Sequence, residues 1–424
     1  MRGSIWLWAA IGGAALGGCG GPAAAPQAEV PAVATVHRER SYALTWGGAA
    51  LGWARERDDG ARWQRREQLV IRRGDQLVVS ELELTIERDA GGVARAVELA
   101  RWQDGPVLRG RAVAVDGGWR IAVDGEAPIV VGAATPFELA IAGAPAAGGF
   151  RGPVLLAGYG FAIADLAVVH SDGEAWTATL TIAGRPLIAI IRYDREGAVR
   201  EIRGADGVVA RVVESGMMTP PATPLEVVAG NALAVEGLAE AVGPVALWLP
   251  GASGPRPPAL PGQRVLDDSR GGWTVRLDAD APTDLPPGVA GADRTALIAA
   301  LAHQVADDVE DDLGATALTE GGARVARRGD CTTHALRFAA LATDAGIETR
   351  VVTGLRLDGG ALVRHRWIVA WTGARWLAID PTYAEAPAAP LLLGLAVHGA
   401  RAADLALADA VVFDQLGPRA LAVP

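Results

Sequence analysis

Between Ser41 and Val213 apolar and polar residues alternate in short runs broken by Gly pairs, Gly-Asp or Asp-Gly, the period-2 pattern of half-buried strands joined by tight turns. Leu82, Leu84 and Ile86 alternate with Glu83, Thr85 and Glu87. Trp176-Thr177-Ala178-Thr179-Leu180 leads through the turn Ala183-Gly184 into the apolar run Leu187 to Ile191. The pattern predicts one antiparallel β domain over residues 41–214, with its scattered Trp residues as packing aromatics rather than the lining of a ligand groove. Pro220, Pro221 and Pro224 mark a boundary, and residues 215–285 read as a β-rich connector interrupted by the Pro-rich loop Pro250 to Pro261.

After Pro286-Pro287 the period changes to that of a helix. From Arg294, apolar Leu297, Ile298, Leu301, Val305 and Val309 recur at steps of three and four, an amphipathic helix closing in the acidic run Asp307, Asp308, Glu310, Asp311 and Asp312. That run lacks the alternating spacing and central Gly of a calcium loop and reads as a solvated helix end. His303 reads as a surface or packing residue. A second helix follows Gly329-Asp330, burying Leu336, Phe338, Ala339, Leu341 and Ala342 and stopping at Gly346. Three strands then succeed one another: Ile347 to Leu357, Ala361 to Trp371 after the turn Asp358-Gly359-Gly360, and Ala374 to Asp380 after Thr372-Gly373. The remainder, 390–424, is apolar enough to pack on this core as an extension, with a short helix over Ala402 to Ala410; His398 has no evident partner.

Composition narrows the class. With 424 residues, 50% hydrophobic and 21% charged, the chain can bury a substantial core in two or three domains. Its net charge of −10, from 39 basic residues that are all Arg against 49 acidic ones, argues against nucleic acid as a partner. Cys19 and Cys331 are the two cysteines, which excludes a disulfide framework and a Cys-rich metal site; no cofactor and no metal are expected.

Residues 1–18 carry Arg2 and an apolar stretch, Ile5 to Ala15, too short to span a bilayer, and so read as a secretory signal peptide. Its end, Leu16-Gly17-Gly18-Cys19, resembles the bacterial lipobox, which implies lipid attachment at Cys19 and a chain anchored to the membrane, with residues 19–40 as a flexible Gly/Ala/Pro-rich tether. Gly20 rather than Asp after that Cys implies the outer membrane, facing the periplasm. The opening of the β domain, Tyr42 to Trp46, Gly47-Gly48 and Leu51-Gly52-Trp53, weakly resembles the sheet ahead of enzyme cores in some bacterial envelope proteins.

The chemistry concentrates in Gly329-Asp330-Cys331-Thr332-Thr333-His334-Ala335. Asp330 is a good N-cap, so Cys331 falls in the first helical turn, where free amide groups and the helix dipole favour thiolate over thiol. If Thr372-Gly373 is a two-residue loop, Trp371 opposes Ala374 and, stepping outward, His365 opposes Asp380, which brings an imidazole and a carboxylate within hydrogen-bonding reach. By strand alternation Arg364 and Arg366 point away from His365 and read as exposed. His334 reads as flanking the cleft, and Arg327 and Arg328 as loop charges.

Gly-Asp-Cys at a helix start, then Ala345-Gly346-Ile347-Glu348-Thr349-Arg350-Val351-Val352-Thr353-Gly354, then His365-Arg366-Trp367, then Trp376-Leu377-Ala378-Ile379-Asp380-Pro381-Thr382, resembles the core of the transglutaminase-like superfamily. The resemblance implies an α+β fold, a papain-like core over residues 286–389 with N-terminal helices and an antiparallel sheet, preceded by the antiparallel β domain. It also implies a triad of Cys331 as nucleophile, His365 as base then acid, and Asp380 as the group that holds His365. The expected activity is hydrolysis of peptide or amide bonds in a polypeptide or other envelope polymer. Amine transfer by a crosslinking enzyme, and a substrate-binding scaffold without turnover, are the alternatives.

Overall fold

The computed structural model describes residues 38–423 apart from 74–75, 183, 205–206, 215–220, 222, 227–231, 237–244, 251–255, 267–270, 280 and 413–419. The segment expected as a signal peptide, Cys19 and nearly all of the expected tether therefore lie outside the described residues. The chain divides into two compact units, the first made of strands up to Leu225 and the second of Glu226 onward with the short turns 73–76 and 103–106.

The first unit is one sheet, antiparallel except where Thr135–Pro136 runs parallel to Phe150–Leu156, and its first strand, Arg38–Trp46, sits mid-sheet. On one side it pairs with Ala49–Asp58 and onward to Ile129–Gly132; on the other it pairs with Val208–Val213, the strand farthest from it in the chain. The alternation seen in sequence is the alternation of burial: Leu84 and Ile86 are buried and Glu83 is exposed. A helix, Phe137–Ala147, interrupts the strands and buries Phe137, Ala140, Ile141 and Ala144 along one stripe. Its sequence is so uniformly apolar and rich in Ala that no polar face marks it, so the period that would identify a helix is missing.

In the second unit the strands are β1 (Leu233–Glu236), β2 (Val245–Pro250), β3 (Gln263–Leu266), β4 (Gly272–Leu277), β5 (Thr349–Asp358), β6 (Ala361–Trp371), β7 (Trp376–Ile379), β8 (Leu392–His398) and β9 (Ala420–Val423). They form a sheet in the order β3-β4-β2-β9-β1-β6-β5-β8, with β7 paired to β6. The segment expected as a separate connector thus supplies strands of this sheet, through β1 pairing with β6 (Leu233 opposite Leu362). Helices α1 (Thr295–Asp308), α2 (Glu320–Val325), α3 (Cys331–Asp344) and α4 (Ala402–Val412) complete the unit.

Strand parity sorts β6 and β7 between two cores. Ile368, Ala370, Leu377 and Ile379 face the helices and pack with Ile298, Val305, Leu336 and Phe338. Trp367, Val369, Trp371 and Trp376 face the other way, against Leu260 and Leu392. Each Ile, Leu and Val among them contributes about 1.5–3 kcal/mol by leaving water, so the parity of these strands is firmly set. The β6–β7 loop departs from expectation. Trp371 opposes Trp376, leaving four residues, Thr372–Arg375, in the turn. Thr372 organises them, accepting at Oγ1 from the amides of Ala374 (3.3 Å) and Arg375 (3.1 Å), which stabilises a longer loop than the Thr-Gly pair alone suggests.

Candidate active site

The helix carrying Cys331 begins where it does because Asp330 caps it. One Asp330 oxygen, Oδ1, accepts from the amides of Thr332 (3.1 Å) and Thr333 (3.3 Å), and Asp330 is 5% exposed. These amides belong to the second and third helical residues, so the amide of Cys331, the first, is left without an intrahelical acceptor. The approach strand Arg328–Gly329 is held in parallel against Glu310–Asp311, so the acidic run that reads as a solvated helix end partly serves as a strand. Gly329 is required here: a Cβ on it would lie 2.2 Å from Thr333 Oγ1, and that hydroxyl accepts from the Ala317 amide at 2.8 Å.

Cys331 is partly exposed at the first turn of α3. His365 and Asp380 lie on one face of their sheet, 5% and 0% exposed, and Nε2 of His365 is 2.8 Å from Oδ2 of Asp380. The register that joins them is not the expected one. With Ile368 opposite Ile379, Asp380 is offset by two positions from the residue directly across from His365, so the contact is diagonal. Lengthening the loop by two residues preserved parity and left both side chains on one face.

Burial pulls the His365 imidazole down, but hydrogen bonds to Asp380 and Cys331, with the charges of the same two residues, outweigh it and lift the group to about 10. Nε2 is taken by Asp380, which leaves Nδ1 for the thiol. His365 and Asp380 are thereby joined by a hydrogen bond, with Cys331 near enough for its charge to act on the imidazole.

Arg356 was not singled out in the sequence. On β5, Gly354 faces His365 across the strand pair, and Arg356 lies two residues farther on the same face. Its Nη1 donates to Asp380 Oδ2 at 2.7 Å, and its Nη2 donates to Glu385 Oε1 at 3.0 Å. The Tyr383 ring covers the guanidinium, with the centroid 4.0 Å from Cζ, and stands 5.9 Å from the His365 ring. A charge inside the otherwise apolar run Val351 to Leu357 was the available signal.

Three other expectations are corrected. Arg366 is not exposed; it is 5% accessible and bonds Thr353 Oγ1 (3.0 Å), Thr332 Oγ1 (2.9 Å) and Asp409 Oδ1 (2.6 Å). Arg364 also pairs with Asp409. Alternation set their face correctly, but α4 covers that face with an acid, and burial opposes the Asp409 charge less than the two guanidinium groups favour it, so its carboxyl lies below the ordinary range. His334 does not flank a cleft: it is 1% exposed, with Nδ1 3.1 Å from the Asp330 carbonyl oxygen and Nε2 3.0 Å from that of Val309. His398 does have a partner, Thr353 Oγ1 at 2.8 Å from Nε2, and burial, helped by Arg366, lowers it to about 4. Of the loop charges, Arg328 is held by Asp312 at 2.9 Å, while Arg327 is exposed.

Residues 291–381 match the model of the transglutaminase-like superfamily core. A solved structure described as a "Putative Cysteine Protease from Cytophaga hutchinsonii" aligns with a TM-score of 0.25 at 16% identity, covering 46% of this chain and 85% of that one. No curated protein matches the sequence.

Proposed function

We infer that the transglutaminase-like domain at residues 291–381 works as a cysteine acyl-transfer enzyme that hydrolyses peptide or amide bonds, with Cys331 as nucleophile, His365 as acid and base, and Asp380 as orienter. The observation that carries this reading is the line from a helix-start cysteine to an imidazole held by a buried carboxylate at 2.8 Å. With His365 lifted to about 10, the imidazole carries a proton at neutral pH, and the reaction runs from the thiolate form of Cys331 beside it.

The steps follow from those charges. The Cys331 sulfur attacks the carbonyl carbon, a C–S bond forms, and the π electrons move onto oxygen. The Cys331 amide, left open by the Asp330 cap, is a donor available to that oxyanion. Collapse breaks the C–N bond, the imidazolium proton goes to the leaving nitrogen, and a thioester remains. Water then gives a proton to His365 and its oxygen to the acyl carbon; the acid leaves and the thiolate–imidazolium pair is restored. An amine in place of water would give transamidation by the same route, but with no Lys in the sequence the chain cannot crosslink copies of itself through that side chain.

Incubation with casein, with and without an amine dye, tests the reading. Cleavage that disappears in Cys331→Ala supports hydrolysis, and Cys331-dependent dye incorporation assigns amine transfer instead. Neither product would favour a binding scaffold. We further propose that the protein is a lipid-anchored envelope protein attached through Cys19 and acting on a polypeptide or another envelope polymer. No helix among the described residues is long and apolar enough to cross a membrane. Partitioning of the full-length protein into detergent that persists in Cys19→Ala would overturn the anchor.

A further inference from the structure

The sheet of the first unit surrounds a cavity of about 1430 Å³, beyond the roughly 300–1,000 Å³ of ordinary small-molecule sites. Leu69, Leu84, Ile141 and Leu156 line it, together with Trp63 and Trp119, which were expected to be packing aromatics only. Such a wall favours an apolar body.

Charged side chains enter the same cavity, and most of them neutralise one another. Arg88 is paired with Asp58, and Arg40 with Asp194 at 2.7 Å. Arg65 bonds Glu56 at 2.9 Å and Glu67 at 2.7 Å, and Tyr42 donates to Glu56 at 3.0 Å. Glu138, in the first turn of the helix Phe137–Ala147, is different: its Oε2 is buried with no hydrogen-bond partner among the described residues. Burial pushes this carboxyl up to about 7; its own amide and Arg65 oppose that rise, and Glu56 adds to it. Arg101 and Arg151 also line the cavity, but the charges that act on Glu138 are those of Arg65 and Glu56, and Arg65 is already bound to Glu56 and Glu67, so the surroundings of Glu138 are short of positive charge.

We propose that the cavity of the first unit binds a lipophilic ammonium, a cationic N–H donor on an apolar body, with the cation at Glu138. A long-chain alcohol offers Glu138 a donor but no charge, and a fatty carboxylate meets three acids. The inference stands independently of acyl transfer at Cys331.

Calorimetric titration of the whole protein with decylammonium, decanoate and decanol tests it. Decylammonium is expected to bind one per chain and roughly tenfold tighter than either analogue. Glu138→Gln removes that preference and leaves decanol unchanged, while Cys331→Ala changes nothing. In the unaltered protein, affinity for decylammonium rises from about pH 6 to about pH 8 as Glu138 loses its proton. Equal affinity for the three head groups, or a pH-independent affinity for the ammonium, overturns the proposal. The pH series needs no variant, so it decides the matter even if Glu138→Gln fails to fold.

Discussion

Arg356 and His365 end on the same oxygen of Asp380: Nη1 of the arginine is 2.7 Å from Oδ2 and Nε2 of the histidine 2.8 Å. Asp380 is 0% exposed, so its carboxylate has no water to fall back on and relies on these neighbours. Arg356→Gln is expected to lose about 3 kcal/mol of stability, as when one partner of a buried pair is removed, and roughly tenfold in kcat as Asp380 loses its anchor. Arg356→Lys keeps the charge but cannot span Asp380 and Glu385, so it should fall between the two. Thermal melts and kcat measured together check this, and a Gln variant with unchanged kcat would remove Arg356 from any positioning role.

The basic limb of the pH–rate profile should lie near 10, where His365 loses the proton that the leaving nitrogen needs. Asp380→Asn removes the charge that helps raise His365 and weakens its hydrogen bond, so the limb moves to lower pH and kcat/KM falls by about 10²–10⁴-fold. A limb that stays in place in this variant would mean another group sets it.

Cys331 is the free cysteine among the described residues. Its alkylation by iodoacetamide should slow in His365→Ala, because the imidazole beside it favours the reactive form of the sulfur. Equal labelling rates in the two proteins would show a cysteine that His365 does not activate.

Asp409 answers two guanidinium groups, and Arg366 in turn braces Thr332, the residue after Cys331. Asp409→Asn should therefore cost about 3 kcal/mol and lower activity without altering the pH profile, measured by denaturant melts and kcat. A loss of activity at unchanged stability would point instead to a direct role in the reaction.

His398 bears on stability in acid. Its native value of about 4 lies below the 6.5 of a free imidazole, so between those values the unfolded chain binds more protons and stability falls as pH is lowered. His365 acts oppositely: its native value of about 10 means stability is lost as pH rises from about 6.5 toward 10. In His398→Gln the acid limb of a Tm-against-pH curve should flatten while the alkaline one persists.

Local chemistry made the line from Cys331 to Asp380 legible. An N-cap places the cysteine, and strand parity places His365 and Asp380 on one face whether the loop holds two residues or four. The length of that loop was not legible, because Thr372 builds it with side-chain bonds that a Thr-Gly turn signature does not encode. Arg356, Arg366 and Asp409 were missed or misread for a different reason. Parity says which way a side chain points but not what covers it, and Asp409 comes from a helix 43 residues after Arg366. The helix Phe137–Ala147 lacked a polar face to announce it. The charge arrangement around Glu138 depends on Glu56 and Arg65, which are some seventy or more residues away in the chain and are brought near it only by the folded sheet.

Strand β9, residues 420–423, lies between β2 and β1 in the sheet of the second unit. The strands of residues 245–277 are therefore joined to β1, and through it to the hairpin of His365, by a strand that follows that hairpin in the chain. Contacts this distant in sequence form late, after the loop entropy of nearly two hundred residues has been met. The helices around Cys331 and the hairpin of His365 can consolidate earlier, from neighbours close in the chain. Assembly is thus ordered in time: the helix of Cys331 and the hairpin of His365 are held before the sheet beside them is sealed, and removing residues 420–423 leaves that sheet with an open edge.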